Sequence, residues 1–520
     1  MTGMAGTDPT RRTVLGAGAA LLGTSAWAQP PRAPVRAPAG DYVGTAEGGV
    51  RVFRGIRYGR AERFRAPQRV PRPIEVIPAS AFGPVAPQGD SRYQPQSEDC
   101  LYLNIWTPEA HPTARKPVMV YIHGGAYSNG SSTDPLNDGR RLAADQDVVV
   151  VTVNHRLNAF GYLYLARLDP RFPDSGNAGQ LDLILALQWI RENIASFGGD
   201  PTRVLVFGQS GGGAKIATMM GMPAARGLFQ RAITMSGQQV TASGPLHATE
   251  RTRAYLAKLG AADAEALLAV PVQRLVEGLT ATDPILGGGV YFGPVLDMRW
   301  LLRHPFWPDA NPIGNAIPMM LGNTRQETGA FIPPDSPRMR GLSWDNLAGR
   351  MVPELRVDIL PEWVVAQYRQ HFPAWTPEQV FYDATTAGRS WPGQVIEAEA
   401  RARAGASTWV YQVDFASRTD PRRGAFHTMD IPLAFGTLDA RGSETGTAME
   451  ALAASRAVQS RFAAFARTGD PNGAGLAPWP RYDLRRRATM IFDARSRVEN
   501  DPRAWQRALF ARVPYIQPGS

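Results

Sequence analysis

Residues 203–217 read R-V-L-V-F-G-Q-S-G-G-G-A-K-I-A: an apolar run rich in β-branched residues, then a glycine-rich turn, then a segment able to form a helix. This stretch restricts the possible folds more than any other. A continuous apolar strand is one covered on both faces. A serine set between glycines on the turn that leaves it projects its hydroxyl from a sharp bend with no room for flanking side chains. A helix that starts there points its N-terminus at the serine and favours negative charge beside it. The plain alternative is a glycine-rich helix start with Ser210 as a simple N-cap.

The rest of the chain continues the same alternation. Pro117 to Ile122 (P-V-M-V-Y-I) and Asp147 to Val153 (D-V-V-V-V-T-V) read as two more strands of the buried type. Leu181, Ile184, Leu187, Ile190 and Ile194 recur at helical spacing, and Phe197-Gly198-Gly199 supplies a glycine stop. Strand, helix and strand in this order predict an α/β fold with a mostly parallel central sheet and helices on both faces. The Pro- and Trp-rich stretch from 300 to 390 is less regular and is expected to supply insertions that wall a site. Upstream of Ser210, strand 117–122 ends in His123-Gly124-Gly125-Ala126-Tyr127. Such a turn offers the backbone N–H groups of Gly125 and Ala126, with that of Gly211, to a developing oxyanion. One donor of this kind is typically worth about 3 kcal/mol of barrier.

Two long motifs are more specific: F-G-G-D-P-T-R-V-L-V-F-G-Q-S-G-G at 197–212 and E-D-C-L-Y-L-N-I-W-T-P at 98–108. Shorter ones are F-R-G-I-R-Y at 53–58, N-A-G at 177–179 and F-A-R-T-G-D-P-N at 465–472. With them the chain, from residue 41 to about 495, resembles the type-B carboxylesterases, the family of the cholinesterases and the bacterial p-nitrobenzyl-type esterases. The resemblance implies an α/β-hydrolase fold with large insertions forming a gorge. It also implies hydrolysis of carboxylic esters through an acyl-enzyme, without a cofactor. Beside Ser210 it directs attention to Glu327, in G-N-T-R-Q-E-T at 322–328, and His427, in G-A-F-H-T-M-D-I at 424–431. The order Ser, Glu, His is the one this fold requires. In the implied roles His427 moves the Ser210 proton, and Glu327 fixes the imidazole tautomer.

Several positions depart from the family pattern. Gln209 stands before the nucleophile where Glu is common, and Asp430 replaces the more usual Glu three positions after the histidine. Ser236, in M-S-G, matches a supporting serine of the family. His155 falls where the family often has tyrosine and reads as core support. Cys100 is the only cysteine, and Ala86 occupies the place of its usual disulfide partner. The loop between them is short, and no residue on it is matched to the aromatic that binds cations in cholinesterases. The expected substrates are therefore small neutral or anionic esters. The same triad also supports lactone, carbamate or amide cleavage. A catalytically dead binding module is the third reading, and the intact Ser, Glu and His set argues against it.

The net charge is +10, yet the basic residues are dispersed, and the tightest cluster, Arg485-Arg486-Arg487, is flanked by Asp483. No basic helix interleaves aromatics and no zinc-ligand spacing occurs, so neither a nucleic-acid partner nor a metal is expected. The front of the chain carries an address. T-R-R-T-V-L at 10–15 opens an apolar stretch, and Ala26-Trp27-Ala28 offers a small-x-small cleavage site ahead of Gln29. Residues 1–28 are expected to be a cleavable signal of the twin-arginine type, residues 29–40 a linker and residues 41–520 a single catalytic domain. The mature protein would then be periplasmic or secreted, with no stable membrane insertion.

Overall fold

The structure, a computed structural model, describes residues 33–519, and their strands lie in two sheets. In chain order the strands are β1 (Val35–Ala37), β2 (Gly40–Val43), β3 (Thr45–Glu47), β4 (Val50–Arg57), β5 (Ile77–Pro78), β6 (Tyr102–Thr107), β7 (Lys116–Ile122), β8 (Val149–Val153), β9 (Gly199–Gln209), β10 (Arg231–Met235), β11 (Met319–Thr324), β12 (Thr408–Val413), β13 (Ala488–Phe492) and β14 (Arg497–Asn500). The main sheet is 11-stranded in the order β14-β13-β12-β11-β10-β9-β7-β8-β6-β4-β3. Every pair from β8 across to β13 is parallel, and the strands outside that run are antiparallel. This is the α/β-hydrolase architecture that the motifs imply.

The sequence explains which strands lie in the middle. All of β8 is buried, as is all of β7 after Lys116, so neither shows the in–out alternation of a half-exposed strand. On one face the helix Ala178–Asn193 packs Leu183, Leu187 and Ile190 into a core with Val118, Val120 and Val206. On the other face the helix Met449–Thr468 packs Val458, Phe462 and Phe465 against Met119, Tyr121 and Phe207. Gly198 stops the short turn after the first helix at φ 86, a left-handed conformation that glycine adopts without steric cost.

Three boundaries differ from expectation. β8 begins at Val149, because Asp147 takes φ 50 and closes the preceding helix, its N–H donating to the Ala143 carbonyl. β9 reaches back to Gly199, which pairs with Lys116. The expected linker over 29–40 is wrong from residue 35 onward. Val35 and Ala37 are buried, β1 pairs with β2, and Arg72 donates to carbonyls at 37 and 38. Two apolar residues alternating with Arg36 give a short strand a buried face, which the surrounding Pro and Arg content obscures. The expected signal at 1–28 lies outside the described residues.

The 300–390 stretch contributes β11 to the middle of the sheet as well as walls. Beyond β11, the helices Pro361–His371 and Pro377–Arg389 enclose a separate apolar cluster, with Val364, Tyr368 and Phe381 packed against Leu509 and Phe510. Among the described residues no helix is long and apolar enough to cross a membrane.

Candidate active site

The loops leaving the C-terminal ends of β7, β9, β10, β11 and β12 meet at one cleft, where ligands bind in open α/β sheets. Ser210 follows β9 at φ 56, ψ −125, a backbone conformation that residues with a Cβ rarely adopt. Its N–H donates to the Met235 carbonyl at 2.7 Å, and its carbonyl accepts from the Ala214 N–H at 3.0 Å as the helix Gly211–Met219 begins. Glycine is required around this bend. A Cβ at Gly211 would lie 1.8 Å from the Ala126 carbonyl oxygen, and one at Gly237 would lie 2.1 Å from the Ser210 carbonyl oxygen.

The turn after β7 folds over the serine. A Cβ on Gly124 would come within 3.1 Å of the Ser210 Cβ. Gly125 (φ 88) and Ala126 (φ 53) both take left-handed conformations. Gly125, Ala126 and Gly211 line the cleft, and among the described residues their N–H groups donate no hydrogen bond. Unpaired donors sharing one rim can receive a developing negative charge without reorganising.

A short turn after β11 places Glu327, and a bridge between Gln326 and Phe426 brings His427 beside it. Glu327 Oε1 accepts from the Ser236 hydroxyl (2.7 Å), the Thr324 N–H (2.7 Å) and the Asn323 amide (3.1 Å). Its Oε2 makes a short contact with His427 Nδ1. Burial alone would raise this carboxyl, but His427 and the donors outweigh it and hold Glu327 below the ordinary carboxylate value. With Nδ1–H directed at the glutamate, Nε2 is left as the acceptor. That nitrogen faces the Gln209 amide nitrogen at 3.2 Å. Among the described residues no hydrogen bond joins it to the Ser210 hydroxyl; contacts of this kind often tighten only when substrate binds. Asp430 starts the next helix, buried, and among the described residues no side chain hydrogen-bonds its carboxyl oxygens. Burial first, and the Glu327 charge second, push it up to about 7.

The carboxylesterase family model matches residues 34–509. The chain belongs to the carboxylesterase family. It is 34% identical over 490 residues to the Bacillus subtilis para-nitrobenzyl esterase, covering 90% of this chain and 96% of that one. A Rhodococcus erythropolis protein described as a probable N-octanoylanthranilate hydrolase is 34% identical over 429 residues, 78% of this chain and 85% of its own. Among solved structures, a Geobacillus stearothermophilus carboxylesterase superposes with a TM-score of 0.82 at 35% identity, covering 92% of this chain and 100% of that one. The protein is thus a serine-type carboxylic-ester hydrolase.

In this carboxylesterase every site residue anticipated from the motifs lies at or under the same cleft. Cys100 is free and buried in the core that also holds Ala86, and His155 is buried against His123 with ring centroids 4.6 Å apart. Two features had escaped the sequence reading. The first is Lys215 on the helix behind Ser210. It is fully buried, its Nζ donates to the Ala126 carbonyl at 2.8 Å and it sits 5.0 Å from the Tyr127 ring centre. Burial pushes its ammonium down to about 7. The signal was there: the esterase has only three lysines, and this one stands in an apolar helix. The second is the charge of the cleft, a cavity of about 1200 Å³. Arg92, Arg356, Arg389 and Arg441 line it, and Asp134 is its one carboxylate among the described residues. Four arginines so far apart in sequence form no visible cluster until the chain is folded.

Proposed function

We propose that the carboxylesterase cleaves its esters through Ser210, His427 and Glu327, by way of an acyl-enzyme. The Ser210 oxygen attacks the ester carbonyl while His427 Nε2 takes its proton. The N–H groups of Gly125, Ala126 and Gly211 receive the oxyanion. Collapse breaks the bond to the alcohol, which leaves with the proton from His427. Water then attacks the acyl-enzyme, giving its proton to His427, and release of the carboxylic acid restores Ser210. Glu327 stays ionised and steadies the imidazolium. The observation that carries this reading is the set of contacts on Glu327, which orients His427 so that Nε2 faces the end of β9.

The substrates in this reading are neutral or anionic esters, since Gln209 brings no negative charge to the nucleophile. The test is release of p-nitrophenol from a short-chain ester, followed by labelling with an organophosphate and peptide mapping. One adduct on the peptide that contains Ser210 is expected, and an adduct on another serine overturns the assignment. A relative described as an N-octanoylanthranilate hydrolase favours adding amides to the substrate panel as a second reading. Export belongs to the same proposal: Arg11-Arg12 and the apolar stretch behind them would direct the folded chain across the inner membrane. Mass spectrometry of the exported protein should find Gln29 at its N-terminus. Recovery of the intact leader from the periplasm would count against it.

A further inference from the structure

One wall of the cleft carries more positive charge than its own carboxylate can balance. Glu354 is buried and pairs with two arginines, Arg338 at 2.6 Å and Arg389 through a short contact. Arg356, two residues after it, has no carboxylate partner among the described residues. Its guanidinium reaches only the carbonyls of Pro353 and Leu355, at 3.5 and 3.4 Å, close to the limit of a hydrogen bond. Arg338 and Arg389 thus share one carboxylate, and Arg356 adds a third guanidinium with none of its own.

The backbone under Arg356 is held firmly. Its N–H donates to the Gly388 carbonyl and its carbonyl accepts from the Ile516 N–H, both at 2.8 Å, while Val357 bridges to Tyr515. The hydroxyl of Tyr515 is closed off from solvent and lies against the Gln238 side chain. Arg356, Arg389 and Tyr515 all line the cleft that holds Ser210. Arg389 stacks at 4.6 Å on Phe331, whose other neighbour is the His427 ring at 5.0 Å between centroids. Arg389 therefore stands one aromatic ring away from the imidazole, with Arg356 close enough for the two charges to oppose each other.

Resting on the ester-hydrolase reading above, we propose that Arg356 and Arg389 form a subsite for a carboxylate carried by the substrate. The preferred substrates are esters with a second, ionised carboxyl group: half-esters of dicarboxylic acids, or esters of hydroxy acids. Guanidinium forks suit the planar, two-oxygen geometry of that group. A neutral ester leaves the subsite hydrated and gains nothing from it. A cation meets repulsion.

The experiment compares two matched pairs on the full-length protein. The 4-nitrophenyl half-ester of adipic acid, against the same ester with its free acid as the primary amide, places the carboxylate on the acyl side. 4-Acetoxybenzoate against 4-acetoxybenzamide places it on the alcohol side. In at least one pair kcat/KM should favour the carboxylate by about tenfold or more at low salt, and added salt should shrink the ratio. The pair that responds shows on which side of the scissile bond the subsite lies. R356Q should collapse that ratio and R356K should recover part of it. Because each protein is its own reference, a change in folded fraction cannot mimic the result. Equal rates within both pairs, or a ratio that survives R356Q, overturn the subsite and leave the esterase reading standing. Failure of the wild-type protein to cleave any of the four compounds overturns both.

Discussion

The edge of the cleft built by the C-terminal ends of the central strands and the arginine wall border one cavity, and they are built on different terms. At the edge, position is set by backbone. Ser210, Gly211, Gly124 and Gly237 pack so closely that the added Cβ of alanine has no space at the three glycines. On the wall, position is set by long side chains reaching from the end of the helix Pro377–Arg389 and from the 354–357 segment. The difference teaches where each property resides. Rate depends on the edge, which tolerates no change of shape. Choice of substrate depends on the wall, which can change charge without moving the sheet.

That division can be broken experimentally. Ser210→Ala should lower kcat by roughly five orders of magnitude with the fold intact by circular dichroism; an active variant would end the argument. Gly211→Ala should cost kcat about a hundredfold or more, because its Cβ would displace the Ala126 carbonyl and disturb the oxyanion donors. Adding Ala126→Gly, which frees that turn to yield, should restore part of the loss. Additive effects in this pair would mean that the contact does not transmit the damage. Lys215→Met should lower kcat by about tenfold with KM little changed, since the ammonium holds the Ala126 carbonyl and does not reach substrate. A matching rise in KM would place Lys215 in binding instead.

A subtler effect lies beneath the edge. Asp430 keeps its proton in the folded chain up to about 7, whereas its ordinary value is 3.8. Between those values the folded state binds the extra proton, so this residue makes stability fall as pH rises from about 4 to about 7. Asp430→Asn should flatten that slope, gaining up to about 4 kcal/mol relative to wild type between pH 4 and pH 8. Denaturant melts at the two pH values measure it, and parallel curves would show that Asp430 is ionised in the fold. The smallest change concerns both regions together. Gln209→Glu sets a negative charge in the same cleft as the arginines and should shift kcat/KM toward a choline ester over its tert-alkyl isostere by about twofold. A wild-type preference for the choline ester would contradict the charge reading of the wall.

The same division decides what could be read from sequence. The strands around the nucleophile were legible because burial on both faces writes continuous Val and Ile runs, and the elbow because close backbone approach demands glycine. Glu327 and His427 carry no such local mark; they were reached by resemblance to a family, and only folding puts them in contact through Gln326 and Phe426. Gln209 was read as a missing charge, yet it also faces the imidazole. The strand at Val35–Ala37 was misread because three residues are too few to show a period amid Pro and Arg. The wall was invisible for a different reason. Arg356 and Arg389 are 33 positions apart, as their numbers show, and what matters about Arg356 is the partner it lacks.

One detail of that wall bears on how the protein is handled. Ile516 is pinned to Arg356, the Gln517 side chain accepts from the Val240 N–H at 3.0 Å and the Gly519 carbonyl accepts from Arg251 at 2.8 Å. Tyr515, Gln517 and Pro518 also line the cleft. The 515–519 segment is therefore a piece of the chamber wall, held by hydrogen bonds to three distant parts of the fold. A protease cut between 511 and 514 should leave these lining residues docked, and co-elution of the short fragment with the nicked enzyme would show how firmly that wall is held.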